Sequence, residues 1–215
     1  MRTRQRTGVS ALCLLAAFAL WTAAVRTVDV QPIGPQGSAV GFAAVNGWVH
    51  EVTGVHMALY TLTDWLGLVP FAVVAGFGVL GLVQWIQRKR LRRVDRSILV
   101  LGGFYLAVAA VYGFFELAVV NCRPVLIEGA LEASYPSSTT VLALCVMLTA
   151  AMQFRARIRH PGFRRCAAVL ADGFAAFMVL GRLLSGVHWV TDIVGGILLS
   201  TGLVLLYAAL VPSDG

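Results

Sequence analysis

Six apolar stretches alternate with polar ones along the chain, at about residues 9–25, 65–86, 98–120, 138–154, 167–184 and 193–210. A helix that crosses a bilayer needs about 20 apolar residues, within a range of about 17–25. Each stretch meets that requirement, the shortest only just. The pattern therefore predicts an all-α integral membrane protein, a bundle of six transmembrane helices. Residues 1–25 read as an N-terminal helix acting as a signal-anchor, and 26–64 as a long extracytoplasmic loop. Within that loop, Asn46 to Tyr60 mixes apolar and polar residues in the manner of a short interfacial helix. Residues 65–210 form the helical core. The first apolar run exceeds the core of about 7–15 residues typical of a cleaved signal peptide, so it is read as retained, although Thr22-Ala23-Ala24 offers a small-residue cleavage region.

Composition agrees with this reading. Of the 215 residues, 59% are hydrophobic and 13% charged, with a mean hydropathy of +0.82. An average soluble domain is about 45–50% apolar and about 25% charged, so a soluble globular protein is excluded. The formal charge of +7 taken alone suggests a nucleic-acid partner, but position argues otherwise. Fourteen of the 17 basic residues fall in three clusters: Arg2, Arg4 and Arg6; Arg88 to Arg96; and Arg155 to Arg165. If six helices alternate, all three lie on one side, which the positive-inside rule makes cytoplasmic. Both termini are then cytoplasmic in a multi-pass protein of the cell membrane, and no nucleic-acid partner is implied. The four cysteines are scattered without CxxC spacing, and His50-Glu51 with His56 misses the HExxH spacing by two residues, so no metal is expected.

The polar residues left over gather at the opposite ends of helices three to six. They are Glu116, Asn121, Arg123-Pro124, Ser134 to Thr139, Arg182, Ser185, His188 and Asp192. Ionisable groups at the rim of a membrane bundle are costly, which makes them candidates for function. His188 and Asp192 are spaced i, i+4, so on one helical face the carboxylate would fix the imidazole tautomer and leave the other nitrogen as nucleophile or base. An Asp helix cap beside a structural His is the ordinary alternative. Gly186 between Arg182 and His188 breaks the helix and lets both point inward. Pro124 ends the third helix beside Arg123. Two guanidiniums near a His–Asp pair suit bidentate capture of a phosphate-like anion, while snorkelling to headgroups is the structural alternative. Pro136-Ser137-Ser138-Thr139 opens the fourth helix, where free N–H groups bind anions, unless the serines serve only as caps. Gly195, Gly196 and Gly202 read as close-packing positions.

In order and spacing, three segments resemble the signature motifs KxxxxxxRP, PSGH and SRxxxxxHxxxD of the type 2 phosphatidic acid phosphatase and haloperoxidase superfamily. Here they read Glu116 to Pro124, Pro136 to Thr139, and Gly181 to Asp192. The resemblance covers roughly residues 60 to 210 and implies a phosphatase of the membrane branch. It makes His188 the nucleophile of a phosphohistidine step and Asp192 its orienting partner. Arg123 and Arg182 would bind phosphate, with Ser137 and the backbone N–H of Ser138 completing the cradle. The implied substrate is a lipid phosphate or polyprenyl diphosphate among membrane lipids, with no cofactor. The haloperoxidases are soluble vanadate enzymes, a role this composition does not fit.

Two departures from the family pattern matter most, and a third is smaller. Glu116 replaces a phosphate-binding Lys, and Thr139 replaces the His that protonates the leaving oxygen; Gly181 replaces the Ser of the third motif. A Thr hydroxyl cannot supply a proton near pH 7, so general-acid catalysis worth about 10²–10⁴-fold is lost. A phosphate leaving group, with a second pKa near 6, needs little protonation, which favours a diphosphate substrate. Glu116, seven residues before Arg123, is expected to face the same cavity, paired with Arg123 or Arg182 or acting as a substitute proton donor. The alternative to an enzyme is a catalytically impaired relative that binds, senses or transports lipid phosphates.

Overall fold

The computed structural model describes residues 2–211, the side chain of Arg2 excepted. Among the described residues eight α-helices follow one another: α1 (Arg2–Thr27), α2 (Ala43–Thr53), α3 (Met57–Leu66), α4 (Leu68–Arg88), α5 (Arg96–Leu117), α6 (Ser138–Arg157), α7 (Pro161–Leu184) and α8 (Val190–Leu210). Six helical stretches among the described residues are long and apolar enough to cross a membrane. The second of them runs from Met57 to Arg88, so it starts eight residues earlier than the apolar pattern suggested. Thr61, Thr63, Asp64 and Gly67 interrupt the hydropathy there, but Thr63 satisfies its hydroxyl on the carbonyls of Leu59 and Tyr60 within the helix. Asn46 to Tyr60, read from the sequence as one short helix, is instead divided between α2 and α3, with a break at Gly54 to His56.

α6 and α8 hold the centre. Their buried small residues and Val146, Met147, Leu199 and Tyr207 pack inward, whereas α4 and α5 turn Phe71, Val79, Leu82, Leu106 and Phe114 outward. An apolar outer surface of this kind is stable only against lipid. α1 lies antiparallel on α8, tied by Arg4 to the carbonyl of Ala209 at one end and by Trp21 Nε1 to the carbonyl of Thr191, 3.1 Å away, at the other.

The basic clusters converge at one end of the bundle. Asp95 there accepts hydrogen bonds from Arg157, Arg88 and Gln84, and these neighbours, Arg157 foremost, hold its carboxyl down to about 2. Arg155 pairs with Asp172 at the same end. The opposite end collects the candidate site. Glycines bring its helices together. A Cβ at Gly195 would lie 2.7 Å from the Tyr135 ring and one at Gly196 2.9 Å from Thr140, so only hydrogen at these positions lets the start of α6 sit on α8. That approach allows the backbone N–H of Ser137 to donate to the carbonyl of Asp192 at 3.1 Å.

Candidate active site

α7 ends at Leu184, and the chain reverses through Ser185 to Trp189 before α8 begins. Gly186 makes the reversal with φ +68°, and a Cβ on it would strike the carbonyl oxygen of Gly54 at 1.9 Å. The carbonyl of Ser185 also accepts the N–H of His56 at 3.0 Å, so the α2–α3 corner is clamped onto this turn. His188 sits in the turn, not in a helix. The expectation that His188 and Asp192 share a helical face is therefore corrected. Asp192 is the third residue of α8, and its carboxylate reaches back to the turn because the helix starts only at Val190.

Asp192 is fully buried and anchored on both oxygens. Oδ1 accepts from Asn121 Nδ2 at 3.2 Å, and Oδ2 from the backbone N–H of Trp189 at 3.1 Å. Nδ1 of His188 lies 3.7 Å from Oδ2, an electrostatic contact longer than a hydrogen bond. On its other side, Nε2 of His188 lies 3.4 Å from Nη1 of Arg123. A guanidinium can only donate, so Nε2 is the unprotonated nitrogen and Nδ1–H faces the carboxylate. Burial pushes the His188 imidazolium down to about 4, against the pull of Asp192 and with help from Arg123 and Arg182, so the ring is neutral at pH 7.

The two arginines are placed by different devices. α5 stops at Leu117, six residues before Arg123, so it is not Pro124 that ends the helix. Residues 121–123 instead run antiparallel to 132–134, joined by Arg123 N–H to the carbonyl of Glu132 and Ser134 N–H to that of Asn121, both 2.9 Å. This puts Glu132 Oε2 2.9 Å from Arg123 Nε, an ion pair whose alignment falls short of a hydrogen bond. Trp189 Nε1 donates to the carbonyl of Cys122 at 2.7 Å and ties the loop to the His188 turn. Arg182, 2% exposed, donates from Nη2 to Asp64 Oδ1 at 2.8 Å. Its Nε and Nη1 are buried without partners.

Ser137 is the N-cap residue of α6, yet its Oγ caps nothing and is buried without a partner. Simple capping does not account for it. Ser138 and Thr139 follow in the first turn, both half-buried. Buried polar groups left unpaired are expensive. Those of Arg182 and Ser137 stand on the segments that meet at the His188 turn, which is the arrangement an oxyanion ligand would satisfy.

Glu116 behaves otherwise than its spacing suggested. Because α5 ends at Leu117, the two-turn relation to Arg123 does not hold. Glu116 is exposed, forms no ion pair among the described residues, and lines a small cavity with Tyr112, Ser134, Tyr135 and Ser138. The carboxylates that do meet the arginines are Asp64 and Glu132, neither of which the sequence pattern singled out. Tyr60 was likewise missed. Its ring carries the guanidinium carbon of Arg182 at 4.8 Å and that of Arg123 at 5.9 Å from its centroid. A signal was present: Tyr60, Thr63 and Asp64 are spaced i, i+3, i+4 in an otherwise apolar stretch.

Among curated proteins none matches the chain. A crystal structure described as the first transmembrane PAP2 type phosphatidylglycerolphosphate phosphatase, from Bacillus subtilis, has the same fold. It superposes with a TM-score of 0.60 over 93% of each chain, at 19% sequence identity. With six apolar helices and this fold, the chain is a multi-pass membrane protein. The sequence profile of the PAP2 superfamily matches residues 114–214, the stretch that carries Arg123, Ser137, Arg182, His188 and Asp192. Residues 114–214 thus carry the sequence pattern of the PAP2 superfamily, and the chain as a whole has the fold of a transmembrane PAP2 type phosphatase.

Proposed function

We propose that this protein is a membrane lipid phosphatase that cleaves a lipid phosphate or diphosphate on the extracytoplasmic face, with His188 as nucleophile. The observation that carries the reading is the neutral, buried His188, whose unprotonated Nε2 faces Arg123 while Asp192 stands behind its protonated nitrogen. Nε2 attacks phosphorus, the bond to the leaving oxygen breaks, and a phosphohistidine forms. Positive charge on the imidazole is balanced by Asp192, which Asn121 and Trp189 hold in place. A water then attacks phosphorus, releases orthophosphate and restores neutral His188. Arg123, Arg182, Ser137 Oγ and the N–H of Ser138 take up the charge of the transferring group, the kind of fixed dipole and cation array that contributes most to such catalysis.

Before substrate binds, the arginines are occupied by the chain's own acids. The side chains of Asp64 and Glu132 are 60% and 43% exposed. They can swing into water, and a phosphate, with more charge and more acceptor atoms, takes their place. Thr139 supplies no proton, so a leaving group that is itself a phosphate is favoured over an alkoxide. The three basic clusters at the far end of the bundle support an outer-side site under the positive-inside rule.

The replacement of two polar motif residues by Glu116 and Thr139 also supports a second reading, a non-catalytic binder of lipid phosphates. Phosphate release from a panel of lipid mono- and diphosphates by purified protein in detergent separates the two. The proposal expects release above the His188→Ala background, faster on diphosphates. No release above that background on any substrate leaves the binder reading.

A further inference from the structure

α3 forms a wall of the site that none of the signature motifs includes. Tyr60, Thr63 and Asp64 lie on one of its faces: Thr63 packs against Gly181, Asp64 binds Arg182, and the Tyr60 ring faces both guanidiniums. Both cations fall within the range of about 6 Å at which an aromatic face attracts a cation, and the attraction is strongest when the cation is removed from water, as Arg182 is. The hydroxyl of Tyr60 makes no hydrogen bond among the described residues, so the ring itself makes the contact. Two guanidiniums gathered for one phosphate repel each other when the site is empty. Asp64 and Glu132 offset this charge but must leave when substrate enters, whereas an aromatic ring can stay.

We propose that Tyr60 is a positioning residue of the phosphate site, an aromatic spacer whose face holds the guanidiniums of Arg123 and Arg182 in place through the exchange of carboxylate for phosphate. This deepens the phosphatase reading and rests on it. The ring keeps the two donors aligned, so binding costs less reorganisation.

The test replaces Tyr60 with Phe, with 4-fluoro- and 3,4,5-trifluorophenylalanine, and with Leu in the full-length protein in detergent micelles. Inorganic orthophosphate is titrated directly by phosphorus NMR, and KM and kcat are measured on the best lipid substrate. The fluorinated rings keep the shape of Phe while draining charge from its face, so packing alone does not distinguish them. Tyr60→Phe should bind orthophosphate within about twofold of wild type. Affinity should fall stepwise with fluorination and by about tenfold in Tyr60→Leu, with KM rising more than kcat falls. A flat fluorine series, or a Phe variant as weak as Leu, overturns the proposal. Wild-type binding and turnover with a flat series sinks the spacer role alone. Absence of both binding and turnover in wild type sinks the phosphatase reading and the spacer with it.

Discussion

Restoring the family's serine at position 181 should damage this protein. Gly181 precedes Arg182 on α7 and faces α3, and a Cβ on it would lie 2.6 Å from Thr63 Cγ2. Carbon atoms rest at about 3.5–4.0 Å, so one side must give by about 1 Å. Thr63 is fully buried, and its hydroxyl donates to the carbonyls of Leu59 and Tyr60, both at 2.9 Å. Turning it to a new rotamer orphans that hydroxyl at a cost of about 1–3 kcal/mol. Moving α3 instead is overpacking, again about 1–3 kcal/mol. Replacing a helical glycine returns at most about 0.5–1 kcal/mol. Gly181→Ser is therefore expected to destabilise by about 1–2 kcal/mol and to weaken phosphate binding, because a shifted α3 carries the Tyr60 ring away from Arg182. The assay is thermal unfolding in detergent followed by tryptophan fluorescence, with KM measured in parallel. In a Thr63→Ala background Cγ2 is gone and the nearest atom of that side chain, Cβ, is 4.0 Å from the new Cβ, so most of the penalty should vanish. A Gly181→Ser protein as stable as wild type, or one that Thr63→Ala does not relieve, would refute the close-approach argument.

Three further outcomes are expected. Asn121→Ala removes the donor to Asp192 Oδ1; a hydrogen bond to a charged group is worth about 1.5–3 kcal/mol. The steady-state rate at saturating substrate should accordingly fall by at least tenfold with KM nearly unchanged, whereas an equal rise in KM would show that Asn121 acts on binding. As the proposed nucleophile His188 must be neutral, and burial depresses its pKa, so neutral imidazole persists as pH falls and is lost only near pH 4. The acid limb of kcat/KM, which reports the free enzyme, should lie well below 6.5, and a limb at 6.5 contradicts a buried, neutral His188. Thr139→His should raise the rate on lipid monophosphates by about 10²-fold or more while changing diphosphate cleavage little; equal gains on both would show that the missing acid does not set substrate preference.

The residues whose spacing is short were legible in the sequence. Arg182, His188 and Asp192 lie within eleven residues, and Gly186 announced the turn that separates them. The helices were legible because lipid demands continuous apolar runs. What failed was extrapolation across a break: the two-turn relation of Glu116 to Arg123 assumed a helix that stops at Leu117. Tyr60 and Asp64 lie more than a hundred residues before Arg182 in a stretch too polar to read as part of a span, and nothing local announces a contact made only when α3 folds onto α7. Glu132 comes to Arg123 through backbone pairing in a loop, which has no hydrophobic period to betray it.

The embrace of α1 and α8 has a consequence for biosynthesis. α1 is made first and α8 last, and Trp21 waits for the carbonyl of Thr191 across 170 residues of chain. Thr22 likewise waits for the hydroxyl of Tyr135, 2.7 Å away in the finished fold. In the proposed mechanism the carboxylate that orients the nucleophile, Asp192, enters with α8, so a chain that has not yet made α8 lacks a complete site. Under that mechanism, phosphoryl transfer is withheld until α1 and α8 have come together.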